Sequence, residues 1–372
     1  MVAALGARVA KADEELEGLQ ESGPGREWGS DRVYYPRLPA MPLTLLVPDL
    51  LAPADAPEAM RGLRLPALEA WLVRADASRV PLTGSRWLLA QWGLGADAPV
   101  AALTLAAEGG PREGEWLRAD PVHQRVERGG LVLHDATVLG LARDEADEAV
   151  AALNDFFGRD GLEFAAPSPD AWFVRVPPGE LPRTHPLEDA VGRNPFGMLP
   201  EGAGKLRWPS LFSEAQMLLA GLPLNAARES RGMPAVNAVW VWGGGALPRE
   251  LPRPFDRVAA GEPLARALAL ASGCALHALP ATLAALASHG AADCLAVVPS
   301  LVPPMRRGDP EAWIEAARAL DRDWFAHLGV ALRAFGGLRL VLPGERDTAV
   351  FDLAPAARWR LFRRARPLAS HA

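Results

Sequence analysis

The sequence predicts an α/β fold: a central, mostly parallel sheet with a small α+β unit inserted as a cap. Three observations carry this. Leu43–Val47, Cys294–Val298 and Leu338–Leu342 are short, mainly apolar runs, interrupted only by Thr44 and Arg339, the pattern of strands covered on both faces. Stretches of helical period separate such runs. Between about residues 98 and 185 the alternation breaks, and paired segments of strand character surround a single helix.

The first strand, Leu43–Val47, ends at Pro48-Asp49. Leu65–Ala75 follows as a helix with Leu68, Trp71 and Leu72 on one side, and Trp87–Trp92 is a second apolar segment after Thr83-Gly84-Ser85. In the inserted unit, Glu115–Arg125 and Gly130–Asp135 read as paired strands about a Gly129-Gly130 turn. Asp144–Phe157 is a helix with acidic residues in its first turn, a Val150/Leu153/Phe157 stripe and Gly158 as its stop. Leu162–Phe164 and Trp172–Val176 alternate like strands, and Pro177, Pro178, Pro182 and Pro186 stiffen the way out. The α/β alternation then resumes. Trp208–Leu219 is a helix, and Val236–Trp242 a returning core strand that runs into Gly243-Gly244-Gly245. Leu264–Ser272 is a helix, and Asp309 caps another that starts with Pro310 and carries Trp313, Ala317, Leu320, Trp324 and Leu328 as its stripe. The implied organisation is a core of residues 41–97 and 186–372 with the cap at 98–185.

Residues 1–40 differ from the rest. They hold both tyrosines, Tyr34 and Tyr35, and Gly and Pro break their periodicity, so they read as a disordered extension with Met41 as a possible translation start. The chain of 372 residues carries a net charge of −6, which argues against a whole-surface nucleic-acid binder, since phosphate backbones need a basic face. Two cysteines, Cys274 and Cys294, are too few for a disulfide framework and suit a reducing, cytoplasmic setting. Ala267–Ala292 lacks Asp, Glu, Lys and Arg, but Gly273, Pro280 and Gly290 divide it into helix, strand, turn and helix; no membrane span is expected.

Of the 39 basic residues only Lys11 and Lys205 are lysines, so arginine-rich stretches are weak pointers to phosphate. The basic run Arg358–Arg366 suits a packed terminal helix with a wet face, or a contact to an acidic partner. Gly243-Gly244-Gly245 lacks the spacing of a dinucleotide loop and any P-loop lysine, and reads as a tight turn. His289 and Asp293 stand four apart, but Gly290 interrupts any helix that would bring them together on a metal. Asp321 and Asp323 lie on the polar side of an amphipathic helix and read as solvated. Ser85, in its Thr-Gly-Ser turn, becomes a nucleophile only with a base or a metal beside it.

Three stretches together resemble a known family. The sharpest is Leu211–Pro248, with Glu214-Ala-Gln-Met, Pro223-Leu-Asn225-Ala-Ala-Arg228 and Arg231-Gly-Met-Pro-Ala-Val-Asn237-Ala-Val-Trp240-Val-Trp-Gly243. The others are Asp293–Leu328, with Arg307-Gly-Asp-Pro310, and Val47-Pro-Asp49 followed 36 residues on by Gly84-Ser85. These are similar to archaeal-type cofactor-independent phosphoglycerate mutases of the alkaline phosphatase superfamily. Met41–Leu51, Trp116–His123 and Arg363–Leu368 are closer still to bacterial RpfE-type regulatory proteins.

The resemblance implies an alkaline-phosphatase-like core in which Asp49 matches a metal-binding aspartate and Ser85 a transiently phosphorylated serine. It also implies two divalent metals beside that serine. Here the expected aspartate falls on Val302 and the expected histidine on Arg306, and Pro343-Gly344-Glu345 stands in place of an Asp-His pair. A fixed guanidinium on a metal position substitutes for part of the cation's charge and repels the rest. The expectation is therefore a mutase-like protein that has lost metal-dependent phosphoryl transfer and acts as a regulatory or ligand-binding protein. Asp49, Ser85, Asn237 and Arg306 would line its anion site, and a phosphorylated metabolite or a protein would be its partner, with no cofactor. The alternative is an active mutase that works through phospho-Ser85 with manganese or another divalent metal, Asp49 among its ligands.

Overall fold

The computed structural model describes residues 41–53, 56–127, 130–202, 208–288, 290, 292–360 and 366–371. The extension expected at 1–40, His289 and the basic stretch 361–365 lie outside these residues, as does part of the Gly129-Gly130 turn.

The strands follow the chain as β1 (Leu43–Leu46), β2 (Asp76–Val80), β3 (Glu115–Glu127), β4 (Gly130–His134), β5 (Glu163–Ser168), β6 (Ala171–Val176), β7 (Ala238–Gly245), β8 (Arg257–Ala259), β9 (Ala275–His277), β10 (Cys294–Val297), β11 (Leu338–Pro343) and β12 (Thr348–Leu353). They form two sheets. The larger runs β2-β12-β11-β1-β10-β8-β9. From β11 to β9 every pairing is parallel, and β12 and β2 add an antiparallel edge. β1 lies at its centre, with Thr44 opposite Leu295 of β10 and Arg339 of β11, and all four of its residues are buried. This is why Leu43–Leu46, Thr44 apart, is apolar without alternation: both faces are covered.

One face packs on helices Pro66–Leu72, Leu283–Ala287, Pro310–Asp323 and Leu328–Phe335 through Leu43, Leu45, Leu68, Trp313, Ala317, Leu320, Leu328 and Phe335. Each such fully buried aliphatic side chain contributes roughly 1.5–3 kcal/mol. Asp309 caps its helix as expected, its carboxylate accepting from the Ala312 N–H at 2.9 Å. Asp321, expected to be solvated, instead accepts from the N–H groups of Ala67 (3.1 Å) and Leu68 (2.9 Å). It caps the Pro66–Leu72 helix from a neighbour, because Leu65, the residue before that helix, has no side-chain acceptor. The Ala267–Ala292 stretch divides as expected, into the end of helix Pro263–Ser272, β9 and helix Leu283–Ala287. Among the described residues no helix is long and apolar enough to cross a membrane.

The second sheet is antiparallel, β4-β3-β6-β5, with β7 also on β3. Here the structure corrects the sequence. Ala238–Trp242 does not return to the core sheet: Val239, Trp240 and Val241 lie opposite Pro121, Asp120 and Ala119 of β3. The second sheet therefore extends past residue 185 to Gly245. Helices Arg143–Phe157 and Trp208–Ala220 cover one face through Leu153, Phe157, Ala215 and Leu219. Gly243-Gly244-Gly245 is neither a turn nor a phosphate loop. It is the end of β7 beside a register shift on β3. A Cβ on Gly243 would sit 2.9 Å from Val100 Cβ, and one on Gly245, at φ 153°, 2.7 Å from Pro99 Cβ. The glycines let the start of helix Val100–Ala107 lie directly on the strand.

Candidate functional site

Asp49 lies just beyond β1, in the turn that follows Val47-Pro48, with φ 58°. That left-handed backbone is uncommon outside glycine and is tolerated best by Asp and Asn. Its carbonyl accepts from Trp313 Nε1 at 2.8 Å, so the helix behind the sheet holds the turn. Burial pushes the Asp49 carboxyl above the usual range, and the guanidinium of Arg306 partly opposes this. Arg306 ends the one-turn helix Val302–Arg306 that follows β10, and its Nε is 3.8 Å from Asp135 Oδ2. Asp135 in turn caps Ala136–Leu139 by accepting from the Thr137 N–H at 3.0 Å.

Ser85 is the second residue of helix Gly84–Gln91, and the preceding Thr83 makes no side-chain cap. Glu188, from the single turn Leu187–Ala190, takes that place. The Ser85 N–H donates to its two carboxylate oxygens (3.1 and 3.3 Å) and the Ser85 hydroxyl to Oε1 at 2.8 Å. Gly84, at φ 46°, makes room, since a Cβ there would be 2.6 Å from Glu188 Oε2. The neighbouring Arg86 binds Asp189 at 2.5 Å, so consecutive residues of one segment hold consecutive residues of the other. Burial raises the Glu188 carboxyl; the Ser85 hydrogen bonds and Arg306 oppose that rise, and Asp189 adds to it. The Arg306 charge thus opposes the rise at both Asp49 and Glu188.

A second buried network adjoins this one. Arg118 pairs with Asp120 and lies over the Phe173 ring, 4.7 Å from its centroid. Trp242 Nε1 donates to Asp120 at 2.6 Å. Burial raises the Asp120 carboxyl, Arg118 and Trp242 oppose it, and Asp135 adds to the rise. Glu262, raised by burial, caps helix Pro263–Ser272 through the Leu264 and Ala265 N–H groups, with Arg118 the opposing charge.

The Arg306 charge thus acts on both Asp49 and Glu188, and Glu188 holds Ser85. Asn237 does not join them. Its carboxamide accepts from the Gln124 N–H (2.7 Å) and donates to the Gln124 carbonyl (2.9 Å), continuing the β3–β7 ladder by one rung. The other polar residues of the Leu211–Pro248 stretch are structural as well. Asn225 ties Leu219 to Val236, and Arg228, fully buried, bonds Glu145 and the Leu139 and Pro234 carbonyls. Sequence reasoning missed Glu188 and Asp135. Glu188 lies 103 residues from Ser85, in a Pro-Leu-Glu-Asp turn that carries no signature of its partner.

Among the described residues no three His, Cys, Asp or Glu side chains converge so as to hold a metal. Of the two residues that match the family's metal site, Ser85 is engaged by the Glu188 carboxylate, and Asp49 feels the Arg306 charge. Two cavities are lined by chain neighbours of these residues. One, of about 620 Å³, opens beyond the ends of β1 and β11 between Leu50, Met60, Trp313 and Arg346. The other, of about 440 Å³, lies outside Thr83 and Asp189 and is lined by Arg86, His185, Arg193 and Arg346.

The chain is similar in structure to the PH0037 protein from Pyrococcus horikoshii, with TM-score 0.51 and 14% identity over 87% of this chain and 90% of that one. It also aligns with a cofactor-independent phosphoglycerate mutase from Thermoplasma acidophilum, with TM-score 0.45 and 14% identity over 89% of this chain and 95% of the mutase. The first likeness shows a shared fold. No protein-family model and no curated protein matches the chain.

Proposed function

We propose that this protein is a phosphoglycerate-mutase-like receptor for a small phosphorylated metabolite, working by binding without two-metal phosphoryl transfer. This is the regulatory or ligand-binding role that the RpfE-type resemblance implies. The observation that supports it is the hold of Ser85 on a carboxylate: its N–H and hydroxyl donate to Glu188 at 2.8–3.3 Å, and the Arg306 charge opposes the rise that burial gives to both Glu188 and Asp49. A guanidinium binds a phosphate through a planar pair of N–H donors and needs no bound ion to do so. The Ser85 N–H, at a helix start, is a donor of the kind that receives oxyanions.

The test is calorimetric titration of the purified protein with 3-phosphoglycerate and with inorganic phosphate, in chelator, beside metal analysis and a mutase assay with added manganese. Binding is expected without metal. Arg306→Ala should weaken it by about 1.5–3 kcal/mol, the worth of hydrogen bonds to a charged group. Stoichiometric manganese and turnover abolished by Ser85→Ala would overturn the proposal in favour of an active mutase.

A further inference from the structure

We propose that Glu188 is a built-in occupant of the oxyanion seat at Ser85, so that an external oxyanion binds only after the Leu187–Ala190 segment lifts Glu188 away. This rests on the receptor assignment above and adds its regulation.

The Glu188 carboxylate makes the contacts that a bound oxyanion would make. It accepts from the Ser85 N–H and hydroxyl at 2.8–3.3 Å and feels the Arg306 charge. Gly84, having no Cβ, lets the carboxylate close on Ser85: a Cβ there would lie within 2.6–2.9 Å of it.

The two sides of the contact belong to different layers. Ser85 follows Leu82, whose carbonyl accepts from Thr348 of β12 in the larger sheet. Glu188 is carried by the second sheet: Leu187 and Ala190 pack with Val122, Leu133 and Trp240, and Trp240 Nε1 donates to the His185 carbonyl at 2.9 Å. Moving the layers apart there breaks the Ser85–Glu188 and Arg86–Asp189 contacts together and uncovers the Ser85 donors. The 440 Å³ cavity outside Asp189 is lined by Arg86, Arg193 and Arg346 against the two carboxylates of Asp189 and Glu345, a modest excess of positive charge beside the segment that must yield.

A capped receptor binds more weakly than an uncapped one by the fraction of time it stands open. The experiment is titration of the full chain with inorganic phosphate, comparing wild type, Glu188→Ala and Glu188→Gln. If the closed state holds about 90–99% of molecules, Glu188→Ala should bind phosphate roughly 10- to 100-fold more tightly. Glu188→Gln, which keeps the packing and loses only the charge, should show a smaller gain in the same direction. Acetate, refilling the emptied seat, should compete with phosphate in Glu188→Ala and have little effect on wild type. Equal phosphate affinities in wild type and both variants would sink the capping role and leave the receptor standing. Absence of phosphate and phosphoglycerate binding by wild type and both variants alike would remove the receptor and the cap with it.

Discussion

Replacing Arg228 with methionine tests whether the stretch that most resembles phosphoglycerate mutases is structural. Arg228 is fully buried, with its guanidinium bonded to Glu145 and to the Leu139 and Pro234 carbonyls, the last at 2.8 Å. Methionine fills similar volume but strands two carbonyls and one carboxylate. Removing one partner of a buried pair costs about 3–5 kcal/mol. Glu145 keeps Arg231 at 2.6 Å and the Ala142 N–H at 3.0 Å, and with Arg228 these hold its carboxyl below the usual range although burial alone would raise it. The loss should therefore fall at the lower end, about 3 kcal/mol. Urea unfolding should show a lower midpoint with an unchanged slope. In a double-mutant cycle with Glu145→Gln, the pair should couple by at least about 1 kcal/mol. A loss below about 1 kcal/mol, or strict additivity, would refute the claim that this buried pair pins helices Arg143–Phe157 and Pro223–Ser230 together.

Three further outcomes follow from the same physics. Gly245→Ala places a Cβ 2.7 Å from Pro99 at φ 153°, and should cost about 1–3 kcal/mol in thermal or urea unfolding, whereas Gly261→Ala, with open space around it, should be nearly neutral. Asp321→Ala leaves the Ala67 and Leu68 N–H groups without their acceptor and should destabilise by about 1–2 kcal/mol in denaturant titration, with phosphate binding intact. Glu188 has a folded pKa raised above its ordinary 4.5 by burial, with Asp189 adding to the rise and Ser85 and Arg306 opposing it. Its contribution to stability is thus fully present at low pH and is lost as pH rises through the folded value. Relative to Glu188→Gln, the wild type should lose stability from about pH 4.5 upward, by at most about 1.4 kcal/mol per pH unit, and a flat difference across that range would contradict the burial.

The sequence by itself determined the class of the fold and most of its elements. β1, β10 and β11 are mainly apolar without alternation, Thr44 and Arg339 apart, because they are covered on both faces, and such runs stay visible whatever packs on them. The Asp309-Pro310 start and the stripe Trp313, Ala317 and Leu320 were equally legible, since a cap and a period of 3.6 are local properties, but the helix stops at Asp323, and Leu328, expected on the same stripe, opens the next helix. Asp49, Ser85 and Arg306 were found through the resemblance. What only the tertiary structure decided is which groups face one another. The partner of Ser85 lies 103 residues away, the acceptor for Ala67 and Leu68 lies some 250 residues on, and β7 chose β3 over the core sheet. A carboxylate on a polar turn and one on a helix surface look alike in a chain. They differ only in the donors that the fold brings to them, and those contacts leave no local mark on composition or spacing.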